Sequence, residues 1–422
     1  METQYLQQVR CLDPHTGTER RANILLKGME ILAVDPDPDQ IPVDCVSVIA
    51  ENHLLAPGLV DPYSYTGEPG HEDRETLAQL LQTAIAGGFT QIALLPNTDP
   101  AVDHPTTLRW LQMQLEQVAQ PRPVVHYWGS LTQGNQGKQL AELGELAEAG
   151  IVGFSDGQGV QDWRLLQRAL EYGSVLGKPL ALVPVNLSLR GNGVMREGPL
   201  AIQVGLPADP VMSESAAIAG ILELMPHYDT PVHLMRLSTA RGLELVSKGK
   251  AQGLNLTASV NWHHLLLSNR AIVEGIPPQT ASYDPNLRFD PPLGNEGDRL
   301  ALIDGIKSGA IDAIAVDHQA FSYEEKTQTF AETPPGAIGY ELILPCLWQQ
   351  LVVTGQLTPT ELWRALSVNA LNCLGLAPTI SDWILFDPET PWTVSKGTLK
   401  TPAYNTPWWG HSLNGRVVAI SC

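Results

Sequence analysis

The sequence predicts an α/β protein in which a parallel barrel carries a small β-domain built from both ends of the chain. In the middle of the chain, short apolar segments typical of buried strands alternate with longer helical stretches, as a parallel barrel requires. Toward both ends, strand-like segments are instead separated by turn-forming clusters such as residues 13–17 and 35–39. We therefore assign residues 1–56 and 377–422 to the β-domain and residues 57–376 to the barrel.

The β-domain is predicted from short apolar segments in the two terminal regions. In the N-terminal region we expect strands at residues 23–27, 31–34 and 46–49, arranged as a small antiparallel sheet. The C-terminal segments 382–387 and 415–420 have the same character and are expected to complete that sheet.

The barrel region contains segments that read as its strands and helices. Strands are predicted at residues 91–95, 179–183, 232–236, 256–260 and 313–316. Helices are predicted at residues 75–86, 213–225, 240–252 and 298–308, and the first of them ends at a Gly-Gly pair typical of a helix C-cap. The irregular, proline-rich segment 268–297 is expected to form a loop over the barrel mouth.

Composition narrows the classes of function. The net charge of −19 argues against binding to nucleic acid or to anionic membranes. The five cysteines show no CxxC spacing and are expected to be free thiols in a reducing compartment. We find neither a secretory signal nor a run of apolar residues long enough to cross a membrane, so a cytoplasmic location is expected.

One stretch points to a family. Residues 57–70 read Pro-Gly-Leu-Val-Asp-Pro-Tyr-Ser-Tyr-Thr-Gly-Glu-Pro-Gly. This resembles the first barrel strand of dihydroorotases of the amidohydrolase superfamily, whose pattern is Pro-Gly-hydrophobic-hydrophobic-Asp-x-His-x-His-x-Arg-Glu-Pro-Gly. Residues two apart on a strand point the same way, so the two histidines can bind one metal ion. Here Tyr63 and Tyr65 occupy the histidine positions, and Gly67 occupies the arginine position.

The resemblance extends over essentially the whole chain. Later segments look like further dihydroorotase blocks in the family's order, at residues 87–90, 95–100, 191–198, 233–239, 263–267, 290–293 and 312–318. It therefore implies a (β/α)8 TIM-type amidohydrolase barrel with a small composite β-sandwich domain from both termini. Its active site is expected at the C-terminal ends of the barrel strands.

The resemblance also implies a zinc site that hydrolyses a cyclic amide with metal-activated water and an aspartate proton shuttle. Its six metal and catalytic positions fall on Tyr63, Tyr65, Asp156, Val183, Arg236 and Asp317, and only Asp156 and Asp317 match the family. We therefore expect no metal cofactor and a degenerate catalytic position at Asp317. Phenolate ligation by the tyrosines is an alternative, but a phenol pKa of ~10 makes it costly.

The resemblance assigns substrate contacts to Asn97, His318 and Asp290. Asn97 is retained, whereas Asp290 replaces the family's asparagine and Phe321 replaces a downstream histidine. With Gly67 in place of arginine, the pocket is expected to bind anionic substrates poorly. Asp317 and His318 remain an alternative catalytic pair.

Arg236 is the most suggestive replacement, because a guanidinium has only donors and cannot bind a cation. We predict that it replaces the missing metal's charge by pairing with Asp317 or Asp156. His263 and His264 are adjacent, and adjacent residues on a strand face opposite ways, so one ion rarely takes both and we interpret them as structural.

These observations predict a dihydroorotase-like pseudoenzyme of pyrimidine biosynthesis. The resemblance suggests aspartate carbamoyltransferase as an assembly partner, and homo-oligomerisation is a further possibility. One alternative is an active dihydroorotase, or another cyclic amidohydrolase, that holds zinc with atypical ligands. Another is a binding protein that uses the vacated barrel mouth. A closed, aromatic-lined mouth favours the scaffold role, and a polar cavity around Asn97, Arg236 and Asp317 favours the binding role.

Overall fold

The structure, a computed structural model, describes residues 3–28, 30–159, 162–276, 281–378 and 381–422. In chain order its strands are β1 (Thr3–Asp13), β2 (Thr18–Lys27), β3 (Glu30–Val34), β4 (Val46–Ile49), β5 (Leu54–Pro57), β6 (Leu59–Ser64), β7 (Phe89–Leu94), β8 (Val124–Gly129), β9 (Gly153–Phe154), β10 (Leu180–Leu182), β11 (Met195–Arg196), β12 (Ala208–Asp209), β13 (Val232–Leu234), β14 (Leu256–Asn261), β15 (Ala313–Ala315), β16 (Trp383–Thr393) and β17 (Ser412–Ser421). They form a barrel sheet, a terminal sheet and a two-stranded pair of β11 with β12.

Helices connect the barrel strands and cover the outside of the barrel. They are α1 (Leu77–Ala86), α2 (Pro105–Gln117), α3 (Leu143–Glu148), α4 (Trp163–Leu176), α5 (Leu187–Arg190), α6 (Pro199–Val204), α7 (Met212–Leu224), α8 (Ala240–Ala251), α9 (Trp262–Leu266), α10 (Arg270–Glu274), α11 (Glu296–Ser308), α12 (Tyr340–Leu347), α13 (Pro359–Leu366) and α14 (Val368–Cys373). The start of α1 shows why such segments are helical: Thr76 and Gln79 form a reciprocal capping box. No helix in the described residues is long and apolar enough to cross a membrane.

The terminal sheet combines both ends of the chain, in the order β17-β16-β5-β1-β2-β3, with β4 paired to β1. Strand β16 lies antiparallel to both β5 and β17, which confirms that the C-terminal region completes the N-terminal sheet. The prediction of a purely antiparallel sheet is wrong, because β4 and β5 run parallel to β1. The reason is that the chain crosses from β3 to the opposite side of β1 and does not turn back in a hairpin.

The barrel consists of eight parallel strands in the order β15-β14-β13-β10-β9-β8-β7-β6. This confirms the predicted barrel with a composite β-domain from both termini. Inside the barrel, buried side chains from different strands pack together, among them Val60, Ala93, Trp128, Ala181 and Ala315. A filled interior of this kind leaves the C-terminal mouth as the place for a site.

Side chains join the two end strands of the barrel sheet, β6 and β15. Asp61 Oδ1 accepts a hydrogen bond from the Val316 N–H at 2.9 Å, and Ser64 Oγ accepts one from the His318 N–H at 2.8 Å. The Tyr65 N–H donates to the His318 carbonyl at 2.9 Å. Since Pro62 has no N–H to donate, polar side chains on β6 supply part of the pairing that a backbone ladder provides elsewhere.

The segment predicted as a long irregular loop, residues 268–297, has partial structure of its own. It contains α10, the one-turn helix Pro285–Leu287 and the first residues of α11. Residues 277–280 of this predicted loop lie outside the described residues. The segment also brings Phe289 and Asp290 to the barrel mouth.

Candidate functional site

A polar cavity of about 380 Å³ opens at the C-terminal ends of the barrel strands. Its lining includes Tyr65, Asn97, Arg236, Asn261, Asp290 and Asp317. The mouth is therefore an open, polar cavity and not a closed, aromatic-lined one. Of the two arrangements considered from the sequence, this is the one that favours binding of a small molecule.

Arg236 and Asp317 form a two-pronged ion pair in this cavity. Arg236 Nε donates to Asp317 Oδ2 at 2.9 Å, and Nη2 donates to Oδ1 at 2.7 Å. The side chains are only 4% and 12% exposed, respectively. Burial alone lowers the pKa of Arg236, but the Asp317 carboxylate and the tyrosine neighbours raise it well above its usual value. The expected ion pair is present, and Asp317 is its carboxylate.

Further hydrogen bonds hold both members of the pair. Arg236 Nη1 donates to the Gly157 carbonyl at 2.9 Å, and Nη2 donates to the Tyr65 hydroxyl at 2.7 Å. Asn261 Nδ2 donates to Asp317 Oδ2 at 2.6 Å. The guanidinium thus lines the cavity, and its hydrogen bonds go to protein acceptors.

Tyr63 holds the backbone of Arg236 through a hydrogen bond. Its hydroxyl accepts a hydrogen bond from the Arg236 backbone N–H at 3.0 Å and shares another with Ser259 Oγ at 2.9 Å. Burial raises the pKa of this phenol far above its usual value, so it stays neutral. A neutral hydroxyl of this kind is a hydrogen-bonding group and a poor metal ligand.

Asp156, the other carboxylate predicted to pair with Arg236, faces a different neighbour. Its Oδ1 accepts from the Thr132 N–H at 2.9 Å, and its Oδ2 accepts from the Thr132 hydroxyl at 2.6 Å. Burial raises the pKa of Asp156, and these hydrogen bonds oppose that shift. Asn97 lies next to it and donates from Nδ2 to the Asp156 carbonyl at 2.9 Å.

The remaining metal position, Val183, is apolar. Its side chain is buried and packs within the barrel interior cluster. In the described part of the chain, no three His, Cys, Asp or Glu side chains lie close enough together to hold a metal ion. A catalytic zinc needs about three such ligands. The residues present therefore do not fit the zinc ion that the fold family implies.

The structure corrects the assignment of His318 to substrate contact. The ring is fully buried and stacks on Tyr340 at 5.0 Å between centroids. Its Nδ1 accepts from the Gly339 N–H at 3.1 Å, so Nε2 carries the hydrogen and donates to Glu75 Oε2 at 2.9 Å. His318 lies behind the mouth and is absent from the cavity lining, so it does not form a catalytic pair with Asp317.

Asp290 and Gly67 also differ from what a carboxylate-binding pocket requires. Asp290 lines the cavity but is paired with Arg190 Nη1 at 2.9 Å. At Gly67, a Cβ atom would lie 2.4 Å from the Glu75 carbonyl oxygen and 2.6 Å from that of His71. Backbone atoms occupy the space that a side chain at this position would need, so the family's arginine does not fit there.

His263 and His264 are buried beside the mouth, and they lie in the short helix α9 and not on a strand as the sequence interpretation assumed. His263 is 2% exposed, lies against Trp262 and Phe289 at 4.0 and 4.2 Å between ring centroids, and lines the cavity. Burial lowers the pKa of His263 well below its usual value and that of His264 to about 4. The two rings share no metal-binding geometry, but His263 has a position at the cavity that sequence reasoning did not give it.

Sequence reasoning missed several polar residues of the mouth, among them Asn261 and Arg74. Asn261 ends β14, and the rule that barrel sites lie at C-terminal strand ends could have identified it. Arg74 lines the cavity and forms an ion pair with Glu325, Nη2 to Oε1, at 2.6 Å. No local pattern marks that pair, because its members are 251 residues apart.

Comparison with known proteins agrees with this architecture. A family model described as dihydro-orotase-like matches residues 52–221. A "probable dihydroorotase-like protein" of Synechocystis sp. is 66% identical, with 99% of each chain covered. A dihydroorotase of Pelobacter propionicus is 33% identical, with 98% of this chain and 96% of the relative covered.

Solved structures match the fold at low sequence identity. The L-hydantoinase (dihydropyrimidinase) from Arthrobacter aurescens superposes with a TM-score of 0.81 at 18% identity, covering 100% of this chain and 95% of its own. The dihydropyrimidinase from Brevibacillus agri gives a TM-score of 0.78 at 18% identity, covering 99% of this chain and 93% of its own. These structures show the fold. The curated relatives, 66% and 33% identical over nearly their whole length, show that the chain belongs to the dihydroorotase-like family.

Proposed function

We propose that this chain is a noncatalytic dihydroorotase-like protein of pyrimidine biosynthesis that acts as an assembly partner of aspartate carbamoyltransferase. The observation that carries the noncatalytic part is the buried ion pair of Arg236 with Asp317. The resemblance places one of the family's metal ligands at Arg236 and the family's proton shuttle at Asp317, so a positive guanidinium here pairs with the carboxylate that would serve a metal site.

The chemistry of this pair is unfavourable for hydrolysis. A general base must be free to take a proton at the reacting atoms. Both oxygens of Asp317 accept hydrogen bonds from Arg236, and one also accepts from Asn261, so its lone pairs face protein donors. Coulomb repulsion from the guanidinium opposes a divalent cation at the same place. The pair therefore takes over the structural role of a metal without its reactivity.

The assembly role is proposed from family membership and from the retained scaffold. An assembly partner needs a rigid fold and an interface of about 1,000 Å² or more, but no catalytic group. Barrel and terminal sheet are complete although Val183, Tyr63 and Arg236 stand at ligand positions. Such a chain can keep a binding surface after its catalytic chemistry is lost.

One experiment tests both parts of this proposal. The purified protein is assayed for zinc content and for hydrolysis of dihydroorotate, and then mixed with aspartate carbamoyltransferase from the same organism for size-exclusion chromatography. We expect no stoichiometric zinc, no hydrolysis and co-elution as one complex. Hydrolysis that disappears in Asp317→Asn would contradict the noncatalytic role and support an active cyclic amidohydrolase. Separate elution would contradict the assembly role.

A second function is favoured by the mouth itself. The cavity of about 380 Å³ is open and polar and brings Asn97, Arg236 and Asp317 together. Pockets that hold small molecules combine a concave shape with a few convergent polar groups. We therefore also propose that the mouth binds a small molecule without transforming it. An assembly role does not exclude this second role, because an interface requires no catalytic group at the mouth.

A further inference from the structure

A second cavity lies beside the mouth cavity and has a volume of about 390 Å³. Phe321 lines both cavities, so the two are neighbours in the structure. Pockets that hold small molecules commonly have volumes of about 300–1,000 Å³, so this one is large enough for a ligand. We call it the side cavity, and its lining includes Phe321, Tyr323, Lys326, Tyr404 and Trp409.

Aromatic side chains form much of the wall of the side cavity. The Tyr404 and Trp409 rings pack edge to face, with 4.9 Å between their centroids. Tyr323 and Trp409 also keep exposed surface, 69% and 36% of each residue, respectively. A flat aromatic ligand that covers this surface gains stacked or edge-to-face contacts and removes apolar area from water.

Among the residues that the structure describes, Lys326 is the only cation that lines the side cavity. The residue is 8% exposed, and its Nζ donates to the Pro334 carbonyl at 2.7 Å and to the Pro285 carbonyl at 3.3 Å. An ammonium has three N–H donors, so one of them is left for a ligand.

In the described part of the chain, no acid forms an ion pair with Lys326. Glu325, its neighbour in sequence, pairs instead with Arg74, Oε1 to Nη2, at 2.6 Å. Two carbonyls and the Phe321 ring, whose centroid is 5.1 Å from Nζ, stabilise the lysine in place of a counter-charge. A buried cation without a counter-charge is costly, so an anion that enters the side cavity lowers this cost.

We infer that the side cavity binds a small aromatic carboxylate. The carboxylate accepts the remaining N–H of Lys326, and the flat ring packs on Tyr404 and Trp409. A single unpaired cation matches a ligand with one negative charge better than a doubly charged phosphate. Arg236 and Asp317 do not line the side cavity, so this site is separate from both proposed functions.

Two probes of the same shape and different charge test the site. Cinnamate carries a carboxylate, and cinnamamide carries an uncharged amide on the same flat frame. Titration calorimetry on the full-length protein near neutral pH should give saturable binding of cinnamate at least ~10-fold tighter than that of cinnamamide. Equal affinities, or no saturable binding of cinnamate up to millimolar concentration, would overturn the inference.

Variants test whether Lys326 causes the preference. Lys326→Met keeps an apolar side chain and removes the charge, so it should weaken cinnamate binding about 10-fold and leave cinnamamide binding unchanged. Lys248→Met, at an exposed position of α8, is the matched control and should change neither affinity. Trp409→Ala leaves the lysine in place, so it keeps the site testable if Lys326→Met does not fold, and it should weaken binding of both probes. Unchanged cinnamate binding in either cavity variant would overturn the inference.

The pH dependence of binding gives a second readout. Burial and the nearby charge of Arg288 lower the pKa of Lys326 to about 7, against the opposing effects of Asp284 and Glu325. Above this pH the free lysine is mostly neutral and must take up a proton to pair with a carboxylate. The affinity for cinnamate should therefore fall by up to ~10-fold per pH unit as the pH rises above 7, while that for cinnamamide stays constant. A cinnamate affinity that does not change with pH would overturn the pairing with Lys326.

Discussion

The Tyr63 hydroxyl accepts a hydrogen bond from the Arg236 backbone N–H at 3.0 Å and thereby links the first barrel strand to the second residue after β13. Arg236 has a φ of 56°, in the left-handed region that non-glycine residues rarely adopt. The backbone at this position is thus held by a side chain 173 residues away. A residue with such a strained backbone conformation persists only where surrounding contacts hold it in that conformation.

Removing that hydroxyl should destabilise the protein. Tyr63→Phe leaves the buried Arg236 N–H and Ser259 hydroxyl with one partner fewer, so we expect a loss of about 1–3 kcal/mol in the free energy of unfolding. Urea denaturation measures this loss. The control Tyr323→Phe, at an exposed ring, should change the stability by less than about 0.5 kcal/mol. Equal stability of both variants would contradict the role assigned to Tyr63.

The Arg236–Asp317 pair should be sensitive to loss of one member. Arg236→Met leaves the Asp317 carboxylate nearly buried without its counter-charge, which should cost about 3–5 kcal/mol. The exposed pair of Arg241 with Glu244 supplies the control, since Arg241→Met should cost about 1 kcal/mol or less. Denaturant unfolding of both variants measures the two costs. Similar values for both would show that the mouth pair is no more stabilising than a surface pair.

Gly67 should not accept the arginine of the family pattern. Even Gly67→Ala places a Cβ atom 2.4 Å from the Glu75 carbonyl oxygen, so the loop must move, at about 1–3 kcal/mol. Gly144→Ala is the matched control, because nothing lies within 4 Å of its Cβ position and it sits in helix α3. There, alanine should stabilise by roughly 0.5–1 kcal/mol. Thermal unfolding distinguishes the two, and a neutral Gly67→Ala would contradict the closed backbone.

Buried histidines should make the protein less stable in acid. Burial lowers the pKa of His264 from 6.5 to about 4, so between these values the unfolded chain binds a proton that the folded chain excludes. Stability contributed by the neutral ring is fully present above pH 6.5 and is lost as the pH falls toward 4. His264→Phe should flatten the fall in unfolding free energy across this window by up to about 1.4 kcal/mol per pH unit. Denaturation series at several pH values measure the slope, and an unchanged slope would contradict the prediction.

The sequence by itself determined the fold class and the family resemblance, and through that resemblance the positions at which residues of the family's pattern are replaced. These follow from local patterns: strand and helix alternation, turn clusters and the blocks around residues 57–70 and 312–318. Local hydrogen bonding and side-chain periodicity set such patterns, so they can be read along the chain. The direction of β4 and β5 could not be read in this way, because it depends on a crossover between distant strands.

The tertiary structure alone decided what the replaced residues do. Arg236 pairs with Asp317, 81 residues away, while Asp156 turns to Thr132, and no spacing along the chain distinguishes these two outcomes. His318 follows a strand end, as a site residue should. Its ring nitrogens nevertheless hydrogen-bond with the Gly339 N–H and the Glu75 carboxylate, so the ring is buried and does not line the cavity. Side-chain direction and through-space distance settle such contacts, and both arise only when the strands close into a barrel.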